Sequence, residues 1–169
     1  MESTGIDVRL GHSAKPFAMA GDHLSGFLGA GGADLSPRIS WTAPSGVDVG
    51  SYAVTVYDPD APTGSGFWHW VIYNIPSSCT ALEEGAGAER SSLKPAGSEE
   101  VPNDAGFRGY VGAAPPAGHG PHRYYFRVHA LSAPILDLPD NASAALVGFN
   151  IWRHELGRGE AMVTYESPA

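Results

Sequence analysis

Tyr52-Ala-Val-Thr-Val-Tyr57-Asp58-Pro-Asp60-Ala-Pro62-Thr-Gly64-Ser-Gly66-Phe-Trp68-His69-Trp-Val-Ile-Tyr-Asn-Ile-Pro76 reads as two apolar strands joined by a rigid, proline-rich turn. The first run, Tyr52 to Tyr57, mixes β-branched and aromatic residues. Side chains alternate across a strand, so Val54 and Val56 share a face with Asp58, and this carboxylate inherits the buried side. The second run, His69 to Ile75, is apolar on both faces, as suits a central strand covered on each side. Pro59 and Pro62 fix φ and remove two backbone donors, while Gly64 and Gly66 supply the freedom to reverse direction. Turn chemistry alone would explain an isolated Asp-Pro. Here the turn carries two carboxylates, and two histidine-bearing strands follow it.

Working outward, the clearest strand is His122 to Leu131. Tyr124, Phe126, Val128 and Ala130 share one face, with His122 at its start, while Arg123, Tyr125, Arg127 and His129 share the other. If this strand and Tyr52–Tyr57 run antiparallel in one sheet, Asp58 comes beside His122 and Tyr124, with His69 at the same rim. Ile6 to Leu10 reads as a short edge strand, and Ser36 to Trp41 as a turn entering a strand. Gly26 to Gly32 is glycine-rich, but no strand precedes it, no helix follows and no Lys-Ser/Thr pair ends it, so it fails the context of a phosphate cradle. Ser77 to Gly106 is polar and aperiodic and reads as a solvated loop region. After Pro139, Asp140 and Asn141 are candidate helix caps. Ala144, Val147 and Ile151 then form a stripe at helical spacing, and Met162 to Tyr165 reads as a closing segment.

The chain has 169 residues, enough for one domain, 1–169, with a self-sufficient core. Its 22 Gly and 14 Pro favour many turns between short elements, and the fold class is all-β dominated. The net charge of −8, from 18 acidic against 10 basic residues, disfavours nucleic acid and anionic membranes as partners. No stretch approaches the roughly 20 apolar residues of a membrane span, and the start lacks a leader pattern, so a cytoplasmic protein is expected. Cys79 is alone, which excludes an internal disulfide and a cysteine-based zinc site.

The ordered motifs Asp58-Pro-Asp60-Ala-Pro62, Trp68-His69-Trp70, Gly112-Ala-Ala114-Pro115-Pro116 and Gly118-His119-Gly-Pro-His122-Arg-Tyr124 resemble the phosphatidylethanolamine-binding protein (PEBP) family, also called Raf kinase inhibitor-like proteins. The similarity runs from about Ser36-Pro37 and Trp41 to the C-terminal helix. It implies an antiparallel β-sandwich, a large central sheet and a smaller one, with a C-terminal helix packed on it. It also implies that Asp58, Asp60, Pro62, Trp68, His69, Ala114, Pro115, His122 and Tyr124 line a site for a small anion or phospholipid headgroup such as phosphoethanolamine. Kinase or protease inhibition is the rival activity that the family implies, through a protein partner. Trp68 stands where many relatives carry a histidine or another polar residue, and Ala114 where some carry Gly or Cys.

The residues themselves weigh against catalysis. Two histidines with a carboxylate are metal-ligand types, but no His-x-x-x-His or cysteine spacing supports a metal. Asp58 and Asp60 are two positions apart across a proline turn, poorly placed for the roughly 5–9.5 Å separation of glycosidase carboxylates. No Gly-x-Ser-x-Gly elbow marks a serine hydrolase. A preformed binding pocket without cofactor is the expectation, its wall supplied by Tyr124 and the indoles of Trp68 or Trp70. The oligomeric state stays open, a homodimer included. Three further expectations follow. The resemblance implies a cis Ala61–Pro62 bond. Asp58→Ala should abolish binding with little loss of fold. His69 and His122 should be raised in pKa by the neighbouring carboxylate and hold an anion best at low pH.

Overall fold

The alternation in the two long central runs separates two cores. A computed structural model describes residues 5–169. Its strands are β1 (Val8–Leu10), β2 (Ile39–Trp41), β3 (Ser51–Asp58), β4 (Phe67–Pro76), β5 (Ala81–Leu82), β6 (Glu99–Glu100), β7 (His122–Leu131) and β8 (Glu155–Tyr165), with one α-helix among the described residues, α1 (Ala144–His154). They form two antiparallel sheets, a small one in the order β1-β2-β5 and a large one in the order β6-β4-β3-β7-β8. Val54, Val56, Ile72, Phe126 and Val128 on the inner face of the large sheet pack with Ile39, Trp41 and Leu82 of the small one. Ala53, Val71, Tyr73 and Leu131 on the outer face meet Ala144, Val147 and Ile151 of α1. The sandwich with a C-terminal helix is therefore as expected from the sequence.

Ser77 to Gly106 is more structured than its polarity suggests. It contributes β5 and β6, one to each sheet, and buries Ala86, Val101 and Asn103. Short strands with few apolar residues carry no readable period. The helix is capped by Ser143, whose Oγ accepts from the Leu146 amide at 3.1 Å, rather than by Asp140 or Asn141. Its last residue, His154, leads directly into β8, an 11-residue strand that includes the closing segment Met162–Tyr165.

Two irregularities in the β3–β4 ladder set the site. Tyr52 pairs with Ile75 and Val54 with Ile72, and Val56 pairs with Trp70 and Tyr57 with Trp68. Each step inserts one extra residue in β4, a β-bulge. At the first, Asn74 takes φ 56° and ties its side-chain amide to Leu136, donating to its carbonyl oxygen (3.2 Å) and accepting from its N–H (2.8 Å). At the second, His69 is the unpaired residue, so His69 and Trp70 both face inward while Trp68 faces outward.

The described peptide bonds are all trans, Ala61–Pro62 among them, which corrects the expectation of a cis bond there. The reversal is made by other means. Asp58 Oδ1 accepts the Asp60 amide at 2.8 Å, the Thr63 amide donates to Ala61 O at 2.7 Å, and Gly66 takes φ +73°.

Candidate ligand-binding site

The antiparallel β3–β7 pairing carries Tyr57 opposite Tyr125, which brings the next inward pair, Asp58 and Tyr124, to the same rim. Asp58, His69, His122 and Tyr124 all border a cavity of about 170 Å³. Pro62, Ala114 and Pro115 line it as well, and Leu28, Phe67 and Pro116 complete the apolar wall.

Asp58 and His122 are buried, and His122 Nδ1–H donates to Asp58 Oδ2 at 2.7 Å. With Oδ1 taken by the Asp60 amide, both oxygens of this carboxylate are engaged. The other nitrogen of His122, Nε2, lies 2.6 Å from Nδ1 of His119 and shares a hydrogen with it. His69 is fixed from the loop after Gly109: its Nδ1–H donates to Val111 O at 2.7 Å, and the Val111 amide donates back to His69 O at 3.0 Å. That bond sets the tautomer and leaves Nε2 as an acceptor at the cavity. The His69 ring meets Tyr124 edge-on, with centroids 5.2 Å apart. The Tyr124 hydroxyl is buried and has no hydrogen-bond partner within the protein. Burial, and then the Asp58 charge, raise its pKa, so it stays a donor.

Two residues expected in the site lie outside its lining. Asp60 accepts from the Arg123 amide and guanidinium, with three contacts of 2.9 Å, and these bonds hold its pKa down to about 2. Trp68 stands on the outer face, stacked at a tilt on Tyr57 with centroids 4.4 Å apart. Trp70 faces the core and donates from Nε1 to Glu100 Oε2 at 2.6 Å. The apolar wall is thus made by Phe67, Leu28 and the prolines rather than by indoles. Leu28 arrives on the glycine-rich loop, whose Gly26 and Phe27 amides donate to Asp34 Oδ2 (3.1 and 2.8 Å). This loop is an anion cradle already filled by its own carboxylate.

Residues 14–166 match the sequence model of the family described as phosphatidylethanolamine-binding protein. The chain belongs to that family. Among its relatives, YbcL of Escherichia coli K12 is 44% identical over 146 residues, covering 85% of this chain and 78% of YbcL. YbhB of the same organism is 44% identical over 135 residues, covering 79% of this chain and 83% of YbhB. The crystal structure of E. coli YbcL superposes with a TM-score of 0.88 at 37% identity, covering 96% of this chain and 98% of that one. Among the described residues of this PEBP-family chain, no helix is long and apolar enough to cross a membrane, and no group of three His, Cys, Asp or Glu side chains is placed to hold a metal ion.

His119 was not singled out as a site residue from the sequence, although its spacing of three from His122 within Gly118-His119-Gly120-Pro121-His122 is visible there. Leu28 and Phe67 give no comparable signal. His69 also departs from expectation: burial lowers its pKa, outweighing the Val111 bond and the Asp58 and Asp104 charges that act the other way. The sign of its linkage to stability follows. The unfolded chain takes up a proton at His69 at about pH 6.5, whereas the native chain resists it until lower pH. This contribution to stability is complete above the unfolded pKa and is lost as pH falls towards the folded one. Urea unfolding at pH 7.5 and 5.5 should show a lower midpoint at 5.5, and His69→Gln, which keeps a donor for Val111, should flatten that dependence. An unchanged pH dependence in the variant would place its origin elsewhere.

Proposed function

We propose that the protein binds a small phosphorylated headgroup, phosphoethanolamine in its simplest form, in the pocket between the Asp58 turn and the Val111–Pro116 loop. The observation that carries this reading is Tyr124, a side chain that borders the cavity and whose buried hydroxyl has no partner within the protein. A buried donor without a partner costs about 1–3 kcal/mol, and a phosphoryl oxygen would satisfy it. His69, whose ring meets Tyr124 edge-on and whose Nε2 is left as an acceptor, requires the ligand to offer a hydrogen as well, from an ammonium or a protonated phosphate. A simple anion meets only half of this pair. Size sets a further limit: about 170 Å³ compares with the roughly 150 Å³ cavity that accommodates benzene, so the pocket takes a headgroup and not acyl chains.

Tyr124→Phe tests the reading with two measurements on one variant. Calorimetric titration with phosphoethanolamine should give binding about tenfold or more weaker, the worth of a hydrogen bond to a charged group. Thermal unfolding of the free variant should be unchanged or slightly higher, because an unsatisfied buried hydroxyl has been removed. Equal affinity in the two proteins would sink the assignment.

A further inference from the structure

The opposite face of the large sheet carries a second reactive cluster. Thr55 on β3 and His129 on β7 point outward, toward α1. Thr55 Oγ1 lies 3.2 Å from His129 Nε2, and His129 Nδ1 lies 2.7 Å from Oε1 of Glu155, the first residue of β8. Thr55 and His129 are buried, at 3% and 5% exposure. The Glu155 carboxylate fixes the hydrogen on Nδ1, which leaves Nε2 to accept from the Thr55 hydroxyl. The His129 bond also holds the Glu155 pKa low, so the acid stays charged. Hydroxyl, imidazole and carboxylate in this order make up an activated nucleophile, whatever fold holds them.

A purely structural network would be sealed, and this one borders a cavity of about 180 Å³ between the sheet and α1. Trp68 and Trp152 line it, and Trp152 is 69% exposed. Arg127, the cross-strand neighbour of Thr55, also lines it. Its Nε donates to Glu160 Oε2 at 2.9 Å and its guanidinium lies over the Tyr125 ring, 4.6 Å from the centroid, which fixes this cation at the cavity wall. Gly148 in the middle of α1 is part of the same lining. Glycine there costs about 1 kcal/mol relative to alanine. No packing demands it, because a Cβ at this position would meet nothing within 4 Å. Its effect is to leave space over the cavity.

We propose that Thr55, His129 and Glu155 form a second, reactive site that accepts the acyl group of small activated aromatic esters. The Thr55 oxygen bonds to the ester carbonyl carbon as its proton passes to His129 Nε2. The carbon–oxygen bond to the aryl group then breaks, its electron pair leaves on the phenol oxygen, and His129 returns the proton. The products are an acyl-threonine and a phenol. Attack by water on the acyl-threonine, with His129 again taking and returning the proton, releases the carboxylic acid and restores Thr55.

The test uses the full chain and 4-nitrophenyl acetate, with nitrophenolate release followed optically and the modified residue located by peptide mass spectrometry. The expected result, in samples quenched with acid during nitrophenolate release, is one acetyl group on Thr55 in the folded protein and none there after unfolding in urea. Thr55→Val should abolish that label. Glu155→Gln should slow it about a hundredfold, the scale of general-base assistance. Gly148→Leu, which fills the cavity and leaves the three reactive side chains in place, should suppress it as well. Acetylation confined to lysines, or equal labelling of Thr55 in folded and unfolded protein, overturns the proposal. The site mapping on the unmodified sequence decides the matter even if a variant fails to fold.

Discussion

Replacing Asp58 by alanine lowers the thermal unfolding midpoint by about 6–12 °C and weakens headgroup binding at the same time. The sequence places this carboxylate at a rim, where its loss would spare the fold. The structure buries it to 3% exposure and engages both oxygens, Oδ1 with the Asp60 amide and Oδ2 with His122 Nδ1. Alanine leaves two donors with no acceptor, each costing about 1–3 kcal/mol, so a total near 3 kcal/mol is expected. For a chain of this length, one kcal/mol moves the midpoint by about 2–4 °C. Asp58→Asn separates the two roles. Its side-chain oxygen can still accept from one donor, so it should lose about half as much stability. His122, deprived of a carboxylate on Nδ1, loses the partner that fixes its orientation, so binding should fall nearly as far as in Asp58→Ala. Calorimetry of unfolding and phosphoethanolamine titration of both variants check this. A midpoint within 2 °C of the parent for Asp58→Ala would return the residue to the rim.

The parts of the site legible in the sequence are those governed by period. The parity of Tyr52–Asp58 and His122–Leu131 gives the inner faces correctly, and antiparallel pairing then puts Asp58 beside His122 and Tyr124. What strict alternation misplaces lies at the bulges. Counting by twos from Val71 and Tyr73 puts His69 on the outer face. The extra residue in β4 returns it to the inner face and leaves Trp68 outside. A bulge depends on the partner strand, so no pattern within β4 announces it. Asp60 is lost from the site for a similar reason. Arg123, on the outward parity of β7, captures it across 63 residues of sequence. His69 illustrates a third limit. Its pKa direction depends on how completely the Val111 loop covers it, and burial of a side chain by a loop has no local signature.

That loop is also where the second large effect is expected, from the smallest change. Gly112 sits between Val111, which clamps His69 from both sides, and Ala114 and Pro115, which line the pocket. Its own amide donates to Asp34 Oδ1 at 2.8 Å, and the next residue, Ala113, pairs with Leu24. A Cβ at position 112 would press on His23 O and the Leu24 carbonyl carbon and lie 2.6 Å from the Ser25 amide nitrogen. All three are backbone atoms held by the Ser25–Ala113 and Ala30–Ser25 hydrogen bonds, so no flexible side chain can yield. Gly112→Ala should therefore cost about 3 kcal/mol, the upper end of overpacking, and lower the midpoint by about 6–12 °C. The displaced loop carries Val111 away from His69 and moves the Ala114–Pro115 wall, so headgroup affinity should fall although no ligand contact has been altered. Gly64→Ala is the control, since a Cβ there meets nothing within 4 Å, and it should stay within about 0.5 kcal/mol of the parent. Equal melting of the two alanine variants would mean that the His23–Ser25 backbone gives way, and that the rigidity of the pocket comes from its prolines instead.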